Sequence, residues 1–138
     1  MRNGAVKPEE LLFSETHEWV RVQDEGGVKV ATIGISAFAV EQLTDLVFME
    51  LPPVGKFVAA GQELGEVESV KAVSPLYSPV DGEIIDVNRD LPDRLETLNQ
   101  DPYNAGWIVK VRLTDETALS KLMDYAAYQK QCAEAGEG

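Results

Sequence analysis

A single cysteine and a single histidine stand in 138 residues, and acidic side chains outnumber basic ones two to one. Each shortage excludes a class of function. Cys132 has no second cysteine to pair with, and it lies in a polar setting of Lys130, Gln131, Ala133 and Glu134, so a disulfide framework is excluded. His17 alone cannot build a metal centre of several histidines, and Glu63, Glu66 and Glu68 lack a recognised metal-loop spacing. Neither the serines nor Cys132 sits in a recognisable nucleophile turn, so His17 is expected to be a structural hydrogen-bonding residue beside Trp19. The glycines match neither a phosphate loop nor a dinucleotide fingerprint. With 12 basic residues against 24 acidic ones, a net charge of −12, the chain lacks the basic face that nucleic acid requires. That acidity reads either as solubility alone or as steering towards basic partners. No apolar run approaches the ~20 residues of a membrane span, and Met1 to Pro8 hold Arg2 and Lys7 without an apolar stretch. The expected compartment is a reducing cytoplasm, or the mitochondrial matrix where a transit peptide has been removed.

Hydrophobic residues make up 44% of the chain, enough for one sizeable core. Trp19 to Val22 and Val28 to Ile33 read as strands, and Asp24, Glu25, Gly26 and Gly27 read as the turn of a hairpin between them. Ser36 is placed to cap a short helix from Ala37 to Leu43, with Phe38, Ala39, Val40 and Leu43 at roughly helical spacing. From Asp45 to Val87 prolines and glycines break the chain too often for long helices, which is an all-β rhythm. A crude echo around Lys71, Val54-Gly55 before it and Val80-Asp81-Gly82 after it, hints at pseudo-twofold symmetry. One or two helical turns are expected within Leu91 to Leu98. Trp107, Val109, Val111 and Leu113 then alternate with Ile108, Lys110 and Arg112 as a half-buried strand. Thr114 is placed to cap a final helix through Leu119, Leu122, Met123 and Ala126, with Asp124 as an alternative restart after a break.

The most informative stretch is centred on Lys71. Ser69, Val70, Ala72 and Val73 surround it, and Ser74 and Pro75 follow, the composition of a tight turn that offers one long amine to solvent. An amide formed there removes the charge and lengthens a flexible stem. On this chemistry alone, an ordinary surface lysine is the commoner reading.

A wider pattern surrounds that lysine. Glu68-Ser69-Val70-Lys71-Ala72, followed by Tyr77-Ser78-Pro79-Val80 and Gly82-Glu83, resembles the lipoylation site of the glycine cleavage system H proteins. His17-Glu18-Trp19-Val20, Ala31 to Ile35, Leu46 to Pro52, Asn99 with Asp101-Pro102-Tyr103, and Gly106-Trp107 also follow that family's order, over roughly residues 13 to 130. The resemblance implies a mainly β fold, a barrel-sandwich hybrid of two antiparallel sheets like other lipoyl and biotinyl carriers, with short helices and a C-terminal helical segment. It implies a flexible segment over residues 1–10, a carrier domain over 11–131 and a flexible acidic tail over 132–138. It further implies lipoic acid bound as an amide to Lys71, with Glu68, Ser69, Val70 and Ala72 recognised as the lysine turn. The chain is then a carrier and not an enzyme. Its implied partners are glycine decarboxylase, aminomethyltransferase, dihydrolipoyl dehydrogenase and lipoylating enzymes. Thr16 and Glu18 stand where the family places polar groups near the arm, and they read equally well as turn and strand-edge residues.

Three positions depart from the family's pattern. Pro75 replaces an acid four residues after the lysine, Phe38 replaces a frequent histidine, and Thr44 replaces a glycine, the last pointing to backbone conformation. Rival carriers fit less well. Biotinyl domains flank their lysine with methionines, where Val70 and Ala72 stand here, and the lipoyl domains of 2-oxoacid dehydrogenase acyltransferases precede a linker and a catalytic region for which this chain is too short. An H-protein-like relay or interaction module that does not serve glycine cleavage is the alternative of a different class.

Overall fold

In the computed structural model, which describes residues 6–136, strands dominate and close around one main core. Strand β1 (Leu12–Phe13) leads into the hairpin of β2 (Glu18–Glu25) and β3 (Val28–Ile35). Its connection is only Gly26 and Gly27, both at positive φ, 66° and 89°. A two-residue loop of that hand matches the twist of its strands, which is why a glycine pair suits it. Asp24 Oδ1 accepts from the Gly27 N–H at 2.9 Å and fixes the turn.

Helix α1 (Ala37–Leu43) begins where the sequence places it, with Ser36 Oγ accepting from the Ala39 N–H at 3.2 Å. It ends at Thr44, whose φ of 66° is a conformation that glycine adopts far more easily than a β-branched residue. After β4 (Leu46–Glu50) and β5 (Phe57–Val58), strands β6 (Glu63–Ser69) and β7 (Val73–Tyr77) form a second hairpin, followed by β8 (Asp81–Val87). A short 3-10 turn at Leu91–Asp93 and helix α2 (Glu96–Gln100) fill the stretch expected to hold one or two helical turns. Strand β9 (Val109–Asp115) and helix α3 (Tyr125–Gly136) complete the chain.

These strands make two antiparallel sheets, one of six in the order β1-β2-β3-β9-β8-β5 and one of three in the order β4-β6-β7. The alternation along each strand sends one face inward. Val20, Ile33, Val109, Val111 and Ile84 from the larger sheet meet Met49, Leu64, Val67 and Leu76 from the smaller, and Val40 of α1 seals one side. A second cluster of Leu11, Phe13, Trp19 and Tyr128 fastens α3 to the first strands. Gly34 is required there, because a Cβ would lie 2.5 Å from the Trp19 indole.

Three expectations need correction. Residues 107–108 precede β9, so two-residue alternation does not apply to them, and Ile108 is buried while Trp107 is half-exposed. Thr114 lies inside β9 and caps nothing; only a 3-10 turn, Thr117–Lys121, follows it. Asp124 is the true restart, its Oδ1 accepting from the Ala127 N–H at 2.9 Å. Regular structure also extends past the boundaries expected at both ends. Pro8–Glu10 form a 3-10 turn, Val6 N–H donates to Asn104 Oδ1 at 2.9 Å, and α3 runs through Cys132 to Gly136. Residues 1–5 and 137–138 of those two segments lie outside the described residues.

Candidate functional site

The β6–β7 hairpin ends in a turn whose consecutive backbone donors are all engaged. Ser69 N–H donates to the Ala72 carbonyl at 2.8 Å, and Val70 N–H to the Asp45 carbonyl at 3.0 Å. The buried Ser69 Oγ accepts from the Lys71 and Ala72 N–H groups at 3.3 and 3.1 Å. The backbone is thereby held while the Lys71 side chain is free: it is exposed, and the only salt bridge among the described residues joins Arg112 to Glu83. Glu68, two strand positions inward of that turn's start at Val70, pairs with Phe48 on one side and Val73 on the other, with its side chain away from the core.

A cleft of about 150 Å³ lies beside this hairpin, which contributes Val67, Ser74, Pro75 and Leu76 to its wall. Thr16, His17 and Glu18 form another side, with Phe38 and Leu43 of α1 opposite. Thr16 and Glu18 therefore line a cavity adjoining the lysine hairpin, and they also hold it in place. Glu18 is buried; its Oε1 accepts from Ser14 Oγ at 2.8 Å and from Thr16 Oγ1, and its Oε2 accepts from the Tyr77 N–H of β7 at 3.1 Å. Burial pushes this carboxyl above its ordinary value of 4.5, against the bonds from Thr16, Tyr77 and Ser14, which pull it down.

Pro75 occupies an edge strand, where a missing N–H interrupts no ladder on the open side, and it stands opposite Glu66. Phe38 lies beside the His17 ring, centroids 5.4 Å apart. His17 Nδ1 in turn shares a hydrogen bond of 2.7 Å with the buried Tyr128 hydroxyl, which also meets Ser36 Oγ. Burial lowers the His17 pKa below 6.5, favouring the neutral ring. The histidine is thus a structural hydrogen-bonding residue, as expected, and its backbone adopts φ 81°, tied to Ser14 and Ser36 through its own N–H and C=O. Tyr128 and Ser36 escaped the sequence reading as parts of this site. The Ser36 cap was visible, but nothing local links residue 17 to residue 128.

The remaining sequence expectations are also placed. Trp19 is buried and donates from Nε1 to the Pro102 carbonyl at 2.9 Å, while Trp107 lies under Lys110 Nζ at 5.2 Å from its ring centroid. Among the described residues no three His, Cys, Asp or Glu side chains gather as a metal site, and no helix is long and apolar enough to cross a membrane.

Comparison with known proteins matches residues 11–135 to the family model described as "Glycine cleavage H-protein". A glycine cleavage system H protein of Rhodopirellula baltica is 64% identical over 132 residues, covering 96% of this chain and 99% of that one. Another from Alcanivorax borkumensis is 51% identical over 124 residues, covering 90% and 94%. A crystal structure of a glycine cleavage system H protein from Mycobacterium marinum superposes with a TM-score of 0.78 at 38% identity, covering 91% of this chain and 98% of that one. Two antiparallel sheets, a lysine hairpin, and similarity over nearly the whole chain converge on one conclusion: the chain belongs to the glycine cleavage H-protein family.

Proposed function

We propose that the chain is the lipoyl carrier of the glycine cleavage system and holds lipoic acid as an amide on Lys71. The observation that carries this reading is the turn itself, in which the backbone from Ser69 to Ala72 is pinned by hydrogen bonds while the Lys71 amine stands free. Rigid presentation of one flexible stem is what an attached arm needs. When bound, the lipoyl group supplies the disulfide that takes up the aminomethyl unit of glycine, so the chain needs no redox cysteines of its own.

The residues present fit such an arm. The cleft wall at Ser74 and Pro75 begins three residues beyond Lys71, roughly 10 Å along a strand. A lysine stem with an eight-carbon acyl chain spans about 14 Å, so it reaches that wall. Phe38, Leu43, Val67 and Pro75 give the cleft apolar sides for an aliphatic chain, and Thr16 and Glu18 give it a polar side. With Pro75 and Phe38 in the lining, Glu18 is its one carboxylate, and beside His17, whose burial favours the neutral ring, it would give the cleft its polar side towards a bound arm.

In this reading the chain docks in turn with glycine decarboxylase, aminomethyltransferase and dihydrolipoyl dehydrogenase, and itself catalyses no step. Tethering raises the effective concentration of the arm at each docked partner. Reconstituted glycine-dependent turnover tests the reading: Lys71→Arg keeps the charge and the turn but is predicted to abolish turnover. Full turnover from that variant contradicts the proposal.

A further inference from the structure

We propose that the outward end of the three-stranded sheet is the docking ledge for the enzyme that forms the amide on Lys71, an inference that rests on the carrier reading above. That enzyme is predicted to meet the ledge with an apolar depression rimmed by basic side chains.

Half of the exposed large hydrophobic side chains among the described residues crowd this one place: Val47 is 56% exposed, Phe48 49%, Val70 67% and Val73 57%. The strand register explains their grouping. Phe48, Glu68 and Val73 stand side by side in one row on the face turned away from the core, and Val47 sits at the irregularity between Leu46 and Phe48. Val70 adjoins the lysine in the turn that Asp45 anchors. Scattered exposed hydrophobics need no explanation, but a contiguous group beside a reactive amine marks an interaction surface.

Charge defines the partner. The next row is Glu50, Glu66 and Pro75, and Asp45 and Glu68 flank the turn. Within residues 44–51 and 63–77 Lys71 is the sole basic residue against five acidic ones, Asp45, Glu50, Glu63, Glu66 and Glu68. A basic rim complements such a surface and speeds encounter.

Reach selects which enzyme. The Lys71 amine lies about 6 Å from its own Cα when extended. Any catalyst that acylates it must bring the activated carbonyl to that distance, and so must cover Val70 and Val73 with their neighbour Phe48. Enzymes acting at the far end of a loaded arm, roughly 14 Å out, face no such requirement. In the covered reaction the deprotonated Nζ attacks a lipoyl adenylate made from lipoate and ATP. The C–N bond forms, the carbonyl–adenylate C–O bond breaks to release AMP, and one amine proton leaves to solvent.

The test is steady-state lipoylation of the unmodified full chain by a purified lipoate ligase, with lipoate and ATP. Phe48→Ser is expected to raise the KM for the carrier about tenfold while kcat stays within about twofold. Val73→Thr, which keeps the strand residue's shape, is expected to raise KM about threefold and stands in if Phe48→Ser melts early. Phe57→Ser on β5, at a side chain 62% exposed, is the control and leaves KM unchanged. Glu66→Lys raises KM at low salt, less so at high salt. Once loaded with excess ligase, each variant is expected to support glycine-dependent turnover at the parent rate. An unchanged KM for both Phe48→Ser and Val73→Thr overturns the ledge, a KM lowered by Glu66→Lys overturns the basic rim, and equal loss of turnover in the loaded variants assigns the surface to a later partner. Failure of the parent chain to be lipoylated at all defeats the carrier reading instead.

Discussion

Glu18 satisfies three donors with two carboxylate oxygens, and one of those donors is the backbone of the strand that follows Lys71. A glutamine offers one acceptor oxygen and turns an amide N–H₂ towards another donor. A protonated carboxyl does much the same with its O–H, so Glu18→Gln is predicted to change stability by less than about 1 kcal/mol below pH 4.5. The pH dependence follows from the raised carboxyl. Because the folded chain binds this proton more tightly than the unfolded one, the group's contribution is complete below pH 4.5 and is lost as pH rises through the folded value. Glutamine has no such loss, so parent and variant are expected to melt close together below pH 4.5 and the variant to melt higher as pH rises towards neutrality. Thr44 presents a different case. The sequence pointed to backbone conformation there, and the observed φ of 66° bears this out for an exposed β-branched residue. Thr44→Gly is predicted to stabilise the chain by roughly 1 kcal/mol, read as a rise in denaturation midpoint at unchanged slope.

Helix α3 shows why local patterns failed at the C-terminus. The spacing of Leu119, Leu122, Met123 and Ala126 suits a continuous helix, but Met123 gives both its N–H and its C=O to Phe13, each bond 2.8 Å. A residue paired in that way cannot also serve a helix ladder, so the chain must restart after it. Nothing near residue 123 in the sequence announces Phe13. Where signals are local, the reading succeeded: the Ser36 cap, the Gly26-Gly27 hairpin and the lysine turn all depend on neighbouring residues. Tyr128 holds α3 in place, its ring stacked on Phe13 at 4.5 Å and its hydroxyl joining His17 to Ser36. Tyr128→Phe keeps the stack and removes the hydroxyl. A loss of about 1–2 kcal/mol in chemical denaturation is expected, with faster amide exchange in α3 than in the sheets.

For the whole molecule, composition and strand rhythm pointed to a mainly β protein, but not to how two sheets of six and three strands face one another. Sheet order depends on contacts such as β3 with β9, separated by most of the chain, and no local motif encodes them. The candidate site divides in the same way. The turn around Lys71 was legible because it occupies a few consecutive residues, and the family resemblance alone singled out its lysine, whereas the bond from Tyr77 to Glu18 spans 59 positions and emerged only with the fold. The arrangement as a whole joins a packed sandwich to an exposed lysine at a pinned turn. The most direct test of the central claim is intact mass with peptide mapping of the full chain expressed with lipoate and a competent lipoylating enzyme. The account predicts an increment of one lipoyl amide, mapped to the peptide containing Lys71 and absent from Lys71→Arg. An unmodified parent chain, or a lipoyl group mapped to another lysine, would contradict it.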